Sequence, residues 1–506
     1  MTSPPRPTDE QQGLLSTARQ HWLSDQHDAA LQAFRTLHRQ RPDDLRLAVE
    51  VANYLGMRFE VPEATEILKA CEARLAGHAQ AMFQVGLAYE RAYRADDAFR
   101  CFRACGEGHP GALIKTVAWL ERRGFVEEAW HDLGDASFPE ALLWRGRLLQ
   151  RRKLADESER VLLALSEQND AALNVRVDAR YELAEHYDRR DDPAEAIRWA
   201  KLAKQLQRPQ WATHLNRAKA MAPIEANFVS TVTRDHFARW DAELQNGQET
   251  EPPIALLTGP PRSGTSMMAR MLGMHDDLPV ADEIEAYPTY LQPTMLKGKS
   301  GTSAAEVLDS LKASHVNNCR KLYRRWMSNA LGKDVTSSRL LDKFPSTTFL
   351  IPPFRRLFPD ATIVMAIRDP RDVVVSCFLR NLELNPVSVM FGQLPLTVMR
   401  CRAELKAWLG LREKLTTPYV EVRYEGLVNG DFSQLARVHE CLGLEWRDEF
   451  SNIKASLSDQ PVRSPTYAQL REQIDDRRVA RWELYRDFLQ PELASLNELA
   501  AEMGYQ

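Results

Sequence analysis

Two stretches of this 506-residue chain carry residue types that could hold an anion. The first is Gly259-Pro-Pro-Arg-Ser-Gly-Thr-Ser266, which follows the apolar run Ile254–Leu257 and leads into an amphipathic stretch, Met267 to Met274. A glycine-containing turn from strand to helix aims several backbone N–H groups and the positive end of the helix dipole at one point, an anion cradle. The spacing matches the phosphate loop of nucleoside triphosphatases up to Gly264, but Thr265 stands where that loop has lysine. Those proteins use the lysine with a magnesium ion to offset triphosphate charge. Here the basic group is Arg262, inside the loop, a planar donor suited to a tetrahedral oxyanion. The second stretch is Arg368-Asp-Pro-Arg-Asp-Val-Val-Val-Ser376, which follows the apolar run Ala361–Ile367. Arg368 would leave the carboxyl end of a buried strand, where open α/β sheets bind their ligands. Ser376 and Arg380, at i and i+4, are expected on one face of the following helix. Two basic loops call for a ligand with two anionic groups.

These loops need a sheet behind them. Ile254–Leu257, Ala361–Ile367 and Tyr419–Tyr424 are short runs separated by helical stretches, the pattern of buried parallel strands, so the second half reads as α/β. The first half has another period. Ala-x-x-x-Phe/Leu occurs at Ala30 with Phe34, Ala64 with Leu68 and Ala98 with Phe102, each step being 34 residues. Weaker copies start at Ala129, Ser158 and Ala196. Twelve residues before the six anchors stand Ala18, Ala52, Gly86, Val117, Gly146 and Ala184, five of them small. This resembles the tetratricopeptide repeat, whose paired helices pack closely where side chains are small and whose concave face suits peptides. The polar, proline-ended stretch Gln245–Pro253 reads as a linker. The expected organisation is an all-α, tetratricopeptide-like solenoid over 1–215, a helical connector and linker over 216–253, and a phosphate-loop-like α/β domain with a parallel sheet over 254–506.

Pro-Arg-Ser-Gly-Thr-Ser followed by Arg-Asp-Pro-Arg-Asp-Val-Val-Val-Ser resembles the two signature loops of sulfotransferases, which use 3′-phosphoadenosine 5′-phosphosulfate (PAPS). The nearer resemblance is to tyrosylprotein sulfotransferases and to bacterial tetratricopeptide-linked ones. It implies that Arg262, Ser263, Gly264, Thr265 and Ser266 hold the 5′-phosphosulfate, and that Arg368, Ser376 and Arg380 hold the 3′-phosphate. It places Tyr424 near the nucleotide, and it makes Ser464 and Arg471 contacts from a late closing loop. Removing a proton from a hydroxyl at neutral pH needs a positioned base. The family's His-turn-Gly-Glu-Glu pattern aligns with His275 and Ala281-Asp282-Glu283, giving Glu283 the base's position and leaving Glu285 its rival. Lys343, in Leu341-Asp-Lys-Phe-Pro345, matches a lysine beside the transferring group, an electrostatic role. No metal is expected.

A net charge of −4, from 66 basic and 70 acidic residues, gives no global pull toward nucleic acid or anionic membrane. No stretch has the length and apolarity of a membrane span. Seven cysteines without CxxC spacing fit a reducing cytoplasm. The expected activity is sulfuryl transfer from PAPS to a hydroxyl acceptor, a small molecule or a tyrosine in a peptide or protein. Residues 1 to about 215 are expected to recruit the acceptor or a protein partner without touching donor chemistry. Two other readings stand beside it: a phosphate-loop kinase or NTPase, which would need the loop lysine, and a repeat scaffold with an inactive sulfotransferase-like domain.

Overall fold

The structure, a computed structural model, describes residues 8–106, 108–245, 251–295, 302–451 and 476–506. The chain divides into two compact units, Met1–Trp119 with Arg324–Asp334, and Leu120–Tyr323 with Val335–Gln506. Among the described residues no helix is long and apolar enough to cross a membrane.

In the first unit the helices come in pairs: Asp9–Leu23 with His27–Gln40, Leu45–Met57 with Val61–Leu75, and Ala79–Arg91 with Ala95–Ala104. Ala18, Ala30, Ala52, Ala64 and Ala98 have no exposed surface. A Cβ added at Gly86 would lie 2.4 Å from the Phe102 ring, so the small residue is what lets the aromatic of the second helix reach the first. The turn inside each pair contains one residue in the left-handed region, Asp25, Phe59 and Tyr93, again 34 apart. Residues Arg324–Asp334 join this unit through Asn329 Nδ2, which donates to Phe59 O at 2.6 Å, and the Arg325–Glu60 pair at 2.9 Å.

The same device continues in the second unit, with left-handed residues at Gly124, Lys153 and Asp191. All six anchors of the sequence pattern, Ala30 to Ala196, thus stand five residues past a left-handed turn residue. At Gly146 an added Cβ would meet Leu162 at 2.6 Å, and Ser158, where the pattern weakens, donates its hydroxyl to Gly146 O at 2.8 Å. The sheet follows. Among the described residues it has five strands, β1 (Ile254–Thr258), β2 (Val280–Asp282), β3 (Leu340–Lys343), β4 (Thr362–Ile367) and β5 (Tyr419–Arg423). They are all parallel, in the order β2-β3-β1-β4-β5. β1 and β4 are buried throughout, as their apolar character requires, and β3 is buried throughout although it ends on Asp342 and Lys343. β2 and β3 are the two strands that the apolar runs do not announce. The winding reverses beside β1, and a crevice at the carboxyl ends of the strands is the expected consequence.

Helices Leu173–Arg189 and Pro193–Gln207 belong to this second unit, and position 215 lies inside the next helix, Trp211–Thr231. Lys204 is buried and donates to Phe391 O at 2.8 Å and to Tyr181 OH at 3.2 Å. Asn381 donates to Asp178 at 2.7 Å.

Candidate active site

The loop after β1 is held by its backbone. Gly259 has φ +137° and an added Cβ there would sit 2.5 Å from Ala366 O, in β4. Gly264 has φ +95° and caps the helix Thr265–Leu272; its Cβ would meet the Tyr424 ring at 2.8 Å. Both positions therefore demand glycine, for conformation and for space. Arg262 is itself left-handed, with φ +70°. Ser263 is buried and gives its hydroxyl to Pro260 O at 2.6 Å, so it braces the loop. Thr265 is buried in the first helical turn, with Ser266 beside it. Gly259 O in turn accepts from Ser346 N at 2.9 Å, tying the loop to the segment after β3.

Arginines converge next to this loop. Arg262 Nε donates to Ser376 Oγ at 3.1 Å, bridging the two signature segments. Arg368 donates through Nη1 to Arg262 O at 3.1 Å and through Nη2 to Arg478 O at 2.5 Å, and its guanidinium lies 4.6 Å from the Tyr424 ring. Burial, with Arg380, Arg478 and Arg368 close by, pushes Arg262 down to about 9. Such mutual repulsion is what an anion would relieve. Nε of Arg368 and Nε of Arg380 are buried with no hydrogen-bond partner among the described residues. An orphaned buried donor carries a desolvation cost that a phosphate oxygen would remove, so the residues present fit a polyanionic ligand.

The helix after Arg368 ends at Leu379, and Arg380 is extended, at φ −102° and ψ 145°. Ser376 and Arg380 thus do not share a helical face, contrary to the i, i+4 expectation. Ser376 turns to Arg262, whereas Arg380 pairs with Glu185 at 2.6 Å and Asp188 at 3.3 Å. Helix Leu173–Arg189 therefore touches Arg380, a residue that the sequence assigns to the second anion site.

At the ends of β2 and β3 the acids and the lysine meet. Lys343 has no exposed surface; its ammonium lies 3.0 Å from Asp282 Oδ1 and bonds Glu283 Oε1. Register puts Asp282 opposite Lys343, and Glu283 N donates to Lys343 O at 2.9 Å. Glu283 has φ +55°, a left-handed turn that follows the strand. Its side chain keeps about a third of its surface, 32%, open to solvent while holding a wholly buried cation. Glu285 is exposed and outside this pair, with Thr289 Oγ1 at 3.5 Å. Desolvation and the like charges of Glu383 and Glu283 push its carboxyl up. His275 accepts from Asp277 N at 3.2 Å and packs edge-on against His439, a bracing position at the helix end.

The sulfotransferase family model matches residues 253–448, the segment that carries both loops, the acid-lysine pair and all five strands. This segment is a sulfotransferase-family domain. Protein-tyrosine sulfotransferase A of Caenorhabditis elegans is 25% identical over 233 residues, 43% of this chain and 60% of that protein. Protein-tyrosine sulfotransferase 2 of Gallus gallus is 23% identical over 313 residues, 60% of this chain and 81% of its own length. An uncharacterized protein of Aquifex aeolicus is 23% identical over 401 residues, and the matched part spans only half, 50%, of that longer relative. Among solved structures, the sulfotransferase domain of the Synechococcus PCC 7002 olefin synthase matches at 20% identity over 52% of this chain and 98% of its own, with a TM-score of 0.35.

Within the sulfotransferase domain the structure brings together Arg262, Ser376, Arg368 and Tyr424 on one side and Lys343 with Glu283 on the other. Ser464 and Arg471 lie outside the described residues. Three participants escaped the sequence reading of the sulfotransferase site: Asp282 as a partner of Lys343, Arg478, and the Glu185–Asp188 pair. Asp282 was legible as the acid beside Glu283. The others were separated from their partners by about a hundred residues or more, and charges on a helix read as a solvated face.

Proposed function

We propose that this protein transfers a sulfuryl group from PAPS to a hydroxyl, with a tyrosine in a peptide or protein as the acceptor. The observation that carries the reading is the group of arginines around the β1 loop, two of them with buried Nε atoms lacking partners among the described residues. Arg262, the loop N–H groups and Ser266 would hold the 5′-phosphosulfate, and Arg368, Ser376 and Arg380 the 3′-phosphate, with Tyr424 packed beneath Arg368. PAPS supplies an activated sulfuryl group on a phosphate leaving group. Glu283 accepts the proton of the acceptor hydroxyl at Oε, and Lys343 offsets the negative charge beside it. The tyrosine acceptor is supported by the C. elegans and Gallus gallus relatives and by the paired helices, which we read as tetratricopeptide-like and as a recruiting surface for the acceptor or a partner. The seven free thiols support a reducing cytoplasm as the place of reaction.

The test uses the full chain. Adenosine 3′,5′-bisphosphate should raise the melting temperature without magnesium, and ATP with magnesium should not. Labelled PAPS should then transfer label to a tyrosine peptide faster than to a free phenol. Stabilisation by magnesium-ATP alone would overturn the donor; transfer to the phenol only would overturn the acceptor.

A further inference from the structure

We propose that Glu185 and Asp188, on the helical-repeat side of the chain, are positioning residues of the donor site that hold Arg380 toward the 3′-phosphate. The inference rests on the donor reading above.

Arg380 follows the last residue of its helix and has extended backbone, so no helical turn fixes its side chain. It is fixed from outside. Glu185 Oε2 lies 2.6 Å from Nη1 and Asp188 Oδ2 lies 3.3 Å from Nη2, with the arginine side chain only 10% exposed. Both carboxylates sit on the Nη side of the guanidinium; the Glu185 contact is an ion pair, since the buried Nη1, like Nε, makes no hydrogen bond among the described residues. Asp188 is also the hub of a second set. It accepts from Tyr485 OH at 2.6 Å and from Arg481 Nη2 at 3.1 Å. Trp482 N, in the same late segment, donates to Asp372 at 2.7 Å, and Arg478 O receives Arg368 Nη2. One helix of the repeat region thus braces Arg380 directly and, through residues 478–485, the surroundings of Arg368.

The charge balance points the same way. Burial disfavours ionised Glu185, but Arg380, Arg189, Arg151 and Arg478 outweigh it and hold the carboxyl well below the usual range. Glu185 stays anionic and offsets a set of guanidinium groups that would otherwise repel one another before any ligand arrives. Glu182 and Asp178 continue the same acidic face about one and two turns earlier, and Asp178 accepts from Asn381, the neighbour of Arg380. A solvated ion pair would contribute little; a pair that orients a buried donor contributes through pre-organisation.

The experiment compares adenosine 3′,5′-bisphosphate with adenosine 5′-monophosphate by calorimetry on the full chain, so that the affinity ratio isolates what the 3′-phosphate adds. Glu185→Gln and Asp188→Asn should each lower that ratio ~10-fold with melting temperatures near wild type, the size of one charged hydrogen bond. Glu185→Asp keeps the charge but shortens the reach by one methylene, and a positioning role predicts a loss there too. Asp178→Asn, which touches Asn381 and not Arg380, should leave the ratio unchanged. An unchanged ratio in Glu185→Gln and Asp188→Asn overturns the inference. So does an equal loss for both nucleotides, which would be general packing, or tighter bisphosphate binding, which would make the acids competitors of the phosphate. A wild-type ratio near one would instead overturn the donor reading, and this inference with it.

Discussion

Replacing Gly259 by alanine isolates what the anion loop requires of its first residue. The position has φ +137°, which L-residues rarely adopt, and the new Cβ would stand 2.5 Å from Ala366 O. The neighbour is backbone of a wholly buried central strand, so it cannot swing away as a side chain tip would. Unfavourable φ costs roughly 1–3 kcal/mol and overpacking about 1–3 kcal/mol, giving ~2–6 kcal/mol in all. Gly430 is the internal control: it has φ +84° but nothing within 4 Å of an added Cβ, so alanine there should show the conformational cost alone. Thermal unfolding of both variants against wild type reads the difference, with Gly259→Ala expected to lose roughly 5 °C or more and Gly430→Ala distinctly less. Because Gly259 O also receives Ser346 N, the relief of the clash should pull the loop out of place and weaken adenosine 3′,5′-bisphosphate binding by at least ~10-fold, which Gly430→Ala should not do. Equal melting temperatures for the two variants would refute the steric argument. A Gly259→Ala protein that melts early but binds normally would refute the link between this contact and the loop.

Three further outcomes are expected. Glu283→Gln keeps the shape of the acid and should bind donor nucleotide normally while turning over ~10²–10⁴-fold slower in single-turnover assays; a crippled Glu285→Gln beside a normal Glu283→Gln would move the base by two residues. Lys204, whose burial pushes it down to about 7, is charged in the unfolded chain up to about 10.5 but not in the folded one, so folding releases its proton within that window. Stability of wild type relative to Lys204→Met should therefore rise between about pH 7 and pH 10, at up to ~1.4 kcal/mol per pH unit, and urea titrations showing no such trend would refute it. Gly86→Ala places a Cβ 2.4 Å from the Phe102 ring and should destabilise the first unit by about 1–3 kcal/mol, read as an earlier first transition in urea, while leaving nucleotide affinity intact.

The features that were legible in the sequence are those with local causes. The Gly259–Ser266 turn, the paired helices and the 34-residue step each follow from residue types at fixed short spacing. In the structure a left-handed turn residue stands five before every anchor, including the later anchors whose spacing departs from 34. β2 and β3, of three and four residues, were too short to show a period of their own, and their place in the sheet depends on neighbours. Lys343 could be read from spacing as any lysine after a strand. Its total burial, and its contact with Asp282 and Glu283 about sixty residues away, exist because β2 and β3 pair in parallel with Asp282 opposite Lys343. Helix Pro370–Leu379 ends one residue before Arg380, and that single turn of backbone sends Ser376 to Arg262 and Arg380 to Glu185 and Asp188. Composition sees such acids as solvated charge. Only the packing of helix Leu173–Arg189 beside helix Pro370–Leu379 and Arg380 decides that they face a buried guanidinium, because ion pairing depends on distance in space, which the tertiary fold determines and local spacing does not.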